Sequence, residues 1–305
     1  MAQGTATPAV VVVPADLGAG DPVPDVARDR ERDASALLPA YGFGKRVYGE
    51  FGNGRVEEWL SGRALQCQEL ARDDVMADVA RRMAALHRVQ IRSPRFDPHR
   101  ATIWDTVDRY MDEADRDTFD DATLGRLDRV AWRNAGQRLR HLLTQTSPVV
   151  LAHNDLLAGN IILDESPGAR HRIQFIDFEY AAYNSRAFDI ANHWCEFAGF
   201  DCDWGKFPGP AQQARFARYY LGDGATDDDV RALVDEVRPW PLVSHLVWAF
   251  WGIVQARVSA IDFDFIGYAR QRFQGFHHYL RTAVPHLAPA LLDDVDGDGL
   301  AQPAL

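Results

Sequence analysis

The pattern of apolar and polar residues divides the chain into a short β-rich beginning and a longer, mostly helical remainder. The β-branched run from Ala9 to Val13 predicts a buried strand. Residues 14–24 are rich in Pro, Gly and Asp and predict a loop, and Val26 to Leu38 predicts a charged helix. Between Val47 and Leu60, two apolar segments flank the turn signal 52–54 (Gly-Asn-Gly) and predict a β-hairpin.

After residue 60 the apolar spacing becomes helical, with one β-like interruption. Three short segments of that interruption, 148–155, 160–165 and 172–180, predict a strand followed by a hairpin. We therefore expect an N-terminal lobe with a hinge over 1–60 and a helical lobe with a central hairpin over 61–305. The predicted helices contain Val75, Val79, Met83 and Leu86; Leu124 to Leu143; Val230, Leu233, Val234 and Val237; a segment from Pro241 with Trp248, Trp251 and Val258; and Phe265, Tyr268, Phe276 and Tyr279.

Composition and charge narrow the classes of protein. Hydrophobic residues make up 47% and charged residues 25% of the chain, which excludes a disordered, collagen-like or coiled-coil protein. With 33 Lys and Arg against 44 Asp and Glu, the net charge is −11. This charge argues against nucleic acid or an anionic membrane as a partner. It suits a cationic substrate, although a charge of this sign also serves solubility alone.

Cysteine content and hydropathy indicate a cytoplasmic protein with no integral membrane segment. Three cysteines are too few for a disulfide framework or a four-ligand zinc site and predict reduced thiols. The longest apolar run, Pro241 to Val254, is interrupted by Ser244 and His245 and is too short to span a bilayer. The first 27 residues contain no Lys or Arg, unlike secretory or transit peptides.

Polar side chains at the ends of the three central segments predict a phosphoryl-transfer site. Asp155 follows the first strand, two residues after His153, and Asn160 opens the next strand. Asp177 ends the second strand of the hairpin, so the hairpin can bring Asn160 and Asp177 together beside Asp155. Three such oxygen-bearing side chains suit Mg²⁺, which takes few protein ligands and leaves room for phosphate oxygens.

The pattern His153-x-Asp155-x4-Asn160, followed by 176–179 (Ile-Asp-Phe-Glu), resembles the choline/ethanolamine kinases. The run IDFEYAAYNSRAFDIANHWCEF is more specific for that family, and HNDLLAGNII, CEFAGF and SAIDFDF are closer to its ethanolamine kinases. The resemblance covers roughly residues 28–282. It implies an α+β, protein-kinase-like two-lobe fold with a truncated N-terminal β lobe and a mainly helical C-terminal lobe.

The resemblance also implies roles for individual residues. Asp155 would be the catalytic base towards the substrate hydroxyl, and Asn160 and Asp177 would be Mg²⁺ ligands. His153 is expected to be buried and structural rather than a proton carrier, and Asp189 is expected to brace the catalytic loop. The hinge whose backbone holds the adenine of ATP corresponds to Glu57, Glu58, Trp59 and Leu60.

An aromatic pocket for the substrate ammonium is implied at Trp248, Trp251 and Tyr268, with Glu196 nearby. The i, i+3 spacing of the two tryptophans would by itself favour core packing. A primary ammonium would need acceptors, whereas a quaternary one can rely on aromatic faces. The candidate acceptors, each of which could instead be a solvated surface acid, are Glu196, Asp201, Asp262 and Asp264.

The N-terminal lobe departs from the kinase pattern. A Gly-rich loop and a basic residue on the following strand would contact the phosphates, but the strand AVVVVPAD carries no basic residue. Residues 42–49 are interpreted as a connection rather than the phosphate loop. Glu31 matches the helix glutamate that pairs with the basic residue, and the sequence shows no partner for it. Either a truncated product or a divergent, weakly active or inactive form would explain this.

The activity implied is ATP-dependent phosphorylation of ethanolamine to phosphoethanolamine, for phosphatidylethanolamine synthesis. A choline or dual-specificity kinase is the alternative of the same class. A catalytically impaired fragment or pseudokinase acting as a binding module is the alternative of a different class, and a phosphotransferase for polycationic antibiotics is more distant. The assembly remains open, with a homodimer as one candidate.

Overall fold

The chain forms a small antiparallel sheet followed by a larger helical lobe. The computed structural model describes residues 10–14, 25–52, 54–116, 128–167, 169 and 171–292. The N-terminal sheet has the strand order β1-β3-β2, and α1 joins its first strand to the hairpin. These elements are β1 (Val10–Pro14), α1 (Asp25–Leu37), β2 (Val47–Phe51) and β3 (Gly54–Glu58).

The strand, the hairpin and the helix predicted for this lobe are present, with β1 and β2 both antiparallel to β3. The expectation that the first strand is buried is wrong: β1 is an edge strand of a three-stranded sheet, and Val10 and Val12 are 51% and 60% exposed. The helix begins and ends within one residue of the prediction, and a 3-10 turn at Leu38–Tyr41 follows it, with Pro39 in its first turn. The part of the predicted loop at 15–24, and Asn53 in the hairpin turn, lie outside the described residues.

Helices dominate the rest of the chain, and the helix Pro241–Val258, named α8, lies at their centre. It packs against α3, α5 and α9, and its residues from Pro241 to Phe250 are all buried. The described helices of this lobe are α2 (Asp73–Leu86), α3 (Ile103–Asp115), α4 (Arg129–Leu143), α5 (Arg186–Cys195), α6 (Pro210–Leu221), α7 (Asp227–Val237), α8 (Pro241–Val258), α9 (Phe265–Thr282) and α10 (Ala288–Leu292).

Two small sheets sit inside the helical lobe and carry the site. The first has the order β4-β6-β7, and the second pairs β5 with β8. In the hairpin, Ile161 lies opposite Phe175, so the chain segments just outside these two residues are brought side by side. The strands are β4 (Arg63–Ala64), β5 (Val149–Ala152), β6 (Ile161–Leu163), β7 (Ile173–Phe175) and β8 (Ala182–Ser185).

The predicted helices and central strands are confirmed, whereas α3, α5, α6, α10, β4 and β8 were missed. Every residue of α5 except Arg186 is buried, so the helix shows no alternation of polar and apolar faces from which to predict it. The start of the helix predicted from Leu124 lies outside the described residues up to 127. Within the part of the chain that the structure describes, no helix combines the length and apolarity needed to cross a membrane.

Candidate active site

The loop after β5 is held by the carboxylate of Asp189 in α5. The backbone N–H groups of His153 and Asn154 donate to Asp189 at 3.0 and 2.7 Å. Asn154 itself has φ +68°, in the left-handed region that L-residues other than Asn and Asp rarely adopt. A buried acceptor aimed at these two N–H groups compensates for that conformation, so Asp189 fixes the path of the chain into Asp155.

Asp155 and Asn160 form one hydrogen-bonded unit. The side-chain amide of Asn160 donates to Asp155 Oδ2 at 3.1 Å and to the Asp155 carbonyl oxygen at 2.9 Å. Both residues are buried, with 9% and 8% of their surface exposed. The amide nitrogen faces Asp155, which leaves the amide oxygen of Asn160 as the atom that could bind a cation.

Asp177 joins this unit through the hairpin. The N–H of Ile176 donates to the carbonyl oxygen of Asn160 at 3.0 Å, and Nε2 of His153 lies 2.9 Å from the carbonyl oxygen of Ile176. Asp177 follows with φ +62°, a second left-handed residue at the site. The structure therefore brings Asp155, Asn160 and Asp177 to one end of the hairpin, as the sequence predicted.

Negative charge accumulates around Asp155. Burial, together with the charges of Glu196, Asp177 and Glu179, raises the pKa of Asp155 well above its usual range. Buried carboxylates that repel each other become stable when a cation binds among them. Two oxygen donors, Asn160 and Asp177, fit a magnesium ion that takes its other ligands from phosphate and water. Among the described residues, no group of three or more His, Cys, Asp and Glu side chains has metal-binding geometry.

His153 is packed as a structural residue. It is fully buried, its ring lies 4.7 Å from that of Phe178, and burial lowers its pKa. A neutral imidazole whose Nε2 is engaged by the main chain holds the hairpin against the loop.

The brace formed by Asp189 extends to two residues that the sequence analysis missed. His87, the residue after α2, contacts Asp189 Oδ2 through Nε2 at 2.9 Å and Tyr220 Oη through Nδ1 at 2.7 Å. Burial acts to raise the pKa of Asp189, but the hydrogen bond and charge of His87 and the backbone N–H of Asn154 outweigh it, and the pKa lies below the usual value. Neither His87 nor Tyr220 belongs to a motif near the site, so spacing could not have identified them.

The three aromatic residues expected to form the amine pocket lie together on α8 and α9. Trp248 and Trp251 have ring centroids 5.4 Å apart, and Trp251 and Tyr268 have centroids 6.1 Å apart, all edge to face. The charge of Asp155 contributes to the raised pKa of Tyr268, for which burial is the largest cause. The aromatic residues therefore lie close to the loop after β5 that carries Asp155 rather than only in the core. Tyr180 packs on Trp248 with centroids 5.6 Å apart.

A buried arginine, also missed, faces the acidic member of this pocket. Nη1 of Arg272 in α9 lies 3.8 Å from Glu196 Oε1, and Nη2 donates to Ser244 Oγ at 2.7 Å. Asn192 Oδ1 accepts hydrogen bonds from Ser244 Oγ at 2.8 Å and from Trp248 Nε1 at 2.7 Å. These contacts fix Glu196 and the indole of Trp248 in one network.

The other candidate acceptors differ from Glu196 in burial. The side chain of Glu196 is 12% exposed, whereas Asp201, Asp262 and Asp264 are exposed. Asp264 caps α9 by accepting the N–H of Gly267 at 2.8 Å. Glu196 is therefore the one of the four that burial places with the aromatic rings.

At the predicted hinge, Glu57 is part of the sheet and of an ion-pair cluster. Its carboxylate contacts Lys45 at 3.2 Å and also Nε of Arg55. Glu58 ends β3, and its side chain accepts the N–H of Arg46 at 3.2 Å. Trp59 and Leu60 follow the strand, and Trp59 is exposed.

The expectation that Glu31 has no partner is wrong. Its Oε1 lies 3.3 Å from Nη1 of Arg55. Arg55 stands in β3, 24 residues after Glu31, so the pairing depends on how α1 packs on the sheet.

The small N-terminal sheet and the helical lobe with its central hairpin define the protein-kinase-like fold. The sequence model described as choline/ethanolamine kinase matches residues 20–277. The chain belongs to the choline/ethanolamine kinase family.

The relatives include proteins named as ethanolamine kinases and proteins named as choline kinases. The chain is 34% identical over 260 residues to a probable ethanolamine kinase of Arabidopsis thaliana, covering 82% of this chain and 68% of that protein. It is 33% identical over 260 residues to the probable choline kinase 2 of the same plant, covering 82% and 72%.

Solved structures support the fold. An ethanolamine kinase of Plasmodium vivax superimposes with a TM-score of 0.75 at 30% identity, over 83% of this chain and 73% of that one. A choline kinase of Cryptosporidium parvum gives a TM-score of 0.68 at 23% identity, over 86% of this chain and 79% of that one.

Proposed function

We propose that the protein transfers the γ-phosphoryl group of ATP to the hydroxyl of ethanolamine and forms phosphoethanolamine, a precursor for phosphatidylethanolamine synthesis. The observation that carries the proposal is the buried unit of Asp155 and Asn160 beside Asp177, next to an aromatic pocket with one buried carboxylate. Family membership and relatives named as ethanolamine kinases support it.

Asp155 is the proposed base. It accepts the hydroxyl proton while the ethanolamine oxygen forms a bond to the γ-phosphorus of ATP. The bond between that phosphorus and the β,γ-bridging oxygen breaks, and ADP leaves. Burial raises the pKa of Asp155, and a Mg²⁺ ion bound at Asn160 and Asp177 would oppose that rise and favour the ionised carboxylate, which is the form that accepts a proton. The brace by Asp189 orients it through the backbone of the loop.

Asn160 and Asp177 are the proposed ligands of Mg²⁺, which would neutralise phosphate charge when bound. The main chain of the hinge, Glu57 through Leu60, is the proposed binding site for adenine, since it links the sheet to the helical lobe. ATP is the proposed co-substrate.

The amine is proposed to bind between Trp248, Trp251, Tyr268 and Glu196. A primary ammonium carries three donors, and burying it without an acceptor would be costly, so the buried Glu196 favours ethanolamine. The aromatic faces would also attract a quaternary ammonium. Choline, or both amines, is therefore the second candidate substrate.

The test is ADP production by the full chain with Mg·ATP and ethanolamine, choline or no amine. Asp155→Asn is expected to lower turnover by about 100-fold or more. Asp223→Asn, which removes an exposed carboxylate, is the matched control and should behave as the parent.

Greater turnover with choline than with ethanolamine would reassign the substrate. A folded protein that binds nucleotide but turns over neither amine would replace the proposal with a binding module. An Asp155→Asn protein as active as the parent would contradict the catalytic assignment. The cytoplasmic location and the homodimer stay predictions.

A further inference from the structure

Arg55 stands directly opposite the strand that lacks a basic residue. In the antiparallel register of β1 and β3, Val13 pairs with Arg55 and Val11 with Glu57. In the backbone register, Arg55 is therefore the residue of β3 that lies one strand away from position 13 of β1.

The side chain of Arg55 contacts both α1 and its own strand. Nη1 lies 3.3 Å from Glu31 of α1, and Nε contacts Glu57. The side chain of Arg55 is 34% exposed, so its guanidinium is partly desolvated but still open to a ligand. Neither contact uses Nη2, the second terminal nitrogen.

The charge balance of the helical lobe favours a phosphate-binding cation on the side of the sheet. The helical lobe presents Asp155, Asp177, Glu179 and Glu196 around the catalytic loop, and these carboxylates would repel a triphosphate. A guanidinium has a planar fork of donors that matches phosphate oxygens. Arg55 lies three residues before Glu58, where the hinge leaves the sheet, so its strand borders the nucleotide cleft.

We propose that Arg55 is the phosphate-binding cation of the nucleotide site, held against Glu31 in the place that a basic residue of β1 would otherwise occupy. The proposal rests on the proposed function in taking the nucleotide to be ATP. It assigns the role to a neighbouring strand and so supplies the charge that the valine run of β1 lacks. Arg55 would bind the α- and β-phosphates, while the hinge binds the base.

The first test separates phosphate binding from base binding. Affinities for adenosine and for Mg·ADP are measured by calorimetry with the full chain, its Arg55→Met variant and its Arg46→Met variant. Arg55→Met is expected to weaken ADP binding roughly 10- to 100-fold, as for loss of a hydrogen bond between charged groups, and to leave adenosine within about twofold. Arg46→Met removes an exposed charge from the same lobe and should change neither.

Two results would overturn the assignment. One is ADP affinity that Arg55→Met leaves unchanged, or that falls together with adenosine affinity, since the latter marks a structural role. The other is an ADP-specific loss in Lys45→Met but not in Arg55→Met, which would give the role to Lys45, the other cation on Glu57.

Moving the arginine from β3 to β1 provides the second test. Adding Val13→Arg to the Arg55→Met protein returns a guanidinium to the position of β1 that is in register with residue 55 and should restore most of the ADP affinity. A double variant no better than Arg55→Met would contradict the equivalence of the two positions.

Failure of the proposed kinase activity and failure of the phosphate-binding role of Arg55 would give different results. If the parent protein turns over neither amine yet binds ADP in an Arg55-dependent manner, the proposed function is wrong and the phosphate site stands. If the parent turns over ethanolamine and Arg55→Met leaves the KM for ATP and the affinity for ADP unchanged, the reverse holds.

Discussion

Arg272 lies 3.8 Å from Glu196 inside the helical lobe, and the two side chains are only 2% and 12% exposed. The guanidinium also lies over the rings of Trp204 and Tyr268, 5.4 and 5.8 Å from their centroids. Glu196 therefore already has a cationic neighbour before any ammonium substrate binds. Arg272 controls both where this carboxylate points and how easily it is protonated.

Replacing Arg272 should make amine binding more dependent on pH. Burial raises the pKa of Glu196 and Arg272 opposes that rise, so in Arg272→Met the pKa of Glu196 goes higher still. The carboxylate is charged only above its pKa. The KM for ethanolamine should therefore rise about tenfold or more at the acidic end of a pH series, because a buried charge pair has lost one member. It should recover as the pH increases.

Arg272→Lys is the control because it keeps the charge, and its KM should stay closer to that of the parent at all pH values. Thermal unfolding of both variants shows how much of the effect comes from stability, since breaking a buried pair costs about 3–5 kcal/mol. Parallel pH profiles for the parent and Arg272→Met would refute the role.

Asp189→Asn should lower kcat more than KM. The N–H groups of His153 and Asn154 would lose a charged acceptor, and the loop that carries Asp155 would lose its fixed conformation. A fall in kcat of about tenfold or more is expected, as for loss of a hydrogen bond to a charged group. Steady-state kinetics at saturating amine measure it, with the exposed Asp223→Asn as control.

The same carboxylate should contribute a pH-dependent part of the stability. Its pKa is lower in the folded protein than usual, so the contribution is complete above the unfolded pKa of about 3.9 and is lost as the pH falls through the folded value. Denaturant unfolding should therefore show a gap between the parent and Asp189→Asn at pH 7 that narrows in acid. A gap that widens in acid would contradict this pairing.

Trp251→Leu should discriminate between the two amines. Loss of one aromatic face removes roughly 0.5–2 kcal/mol of cation–π attraction, or about 2- to 30-fold in affinity. Choline should lose more than ethanolamine, because the primary ammonium keeps its hydrogen bonds to Glu196. The KM for each amine measures the difference, and an unchanged KM for ATP is the control. Equal losses for both amines would argue against Glu196 as the acceptor.

Gly62→Ala should destabilise the junction between the hinge and β4. Gly62 has φ +110°, and an added Cβ would overlap the carbonyl oxygen of Leu163. The left-handed backbone and the clash together should cost about 2–4 kcal/mol. At Gly224 a Cβ meets no atom within 4 Å, so Gly224→Ala should unfold near the parent midpoint in urea. Equal urea midpoints for the two variants would contradict this prediction, because they would mean that the backbone at the junction shifts to accommodate the added Cβ.

The sequence determined the elements whose signals are local. The strand at the valine run, the pairing of β2 with β3 and the hairpin between Asn160 and Asp177 formed as predicted, because strand alternation and turn chemistry act between near neighbours. The same is true of the grouping of Asp155 with Asn160 and Asp177, since five residues and one hairpin connect them.

Only the tertiary structure decided the partners of the buried charges. Asp189 meets His87 from 102 residues away, and Arg272 meets Glu196 and Ser244 from another helix. Glu31 meets Arg55 across the packing of α1 on the sheet. A periodic pattern records which side of an element is buried, but the identity of a partner depends on which elements pack together, at what angle and in what register. The sequence therefore indicates which carboxylates are present, but only the fold determines which cation lies beside each buried one.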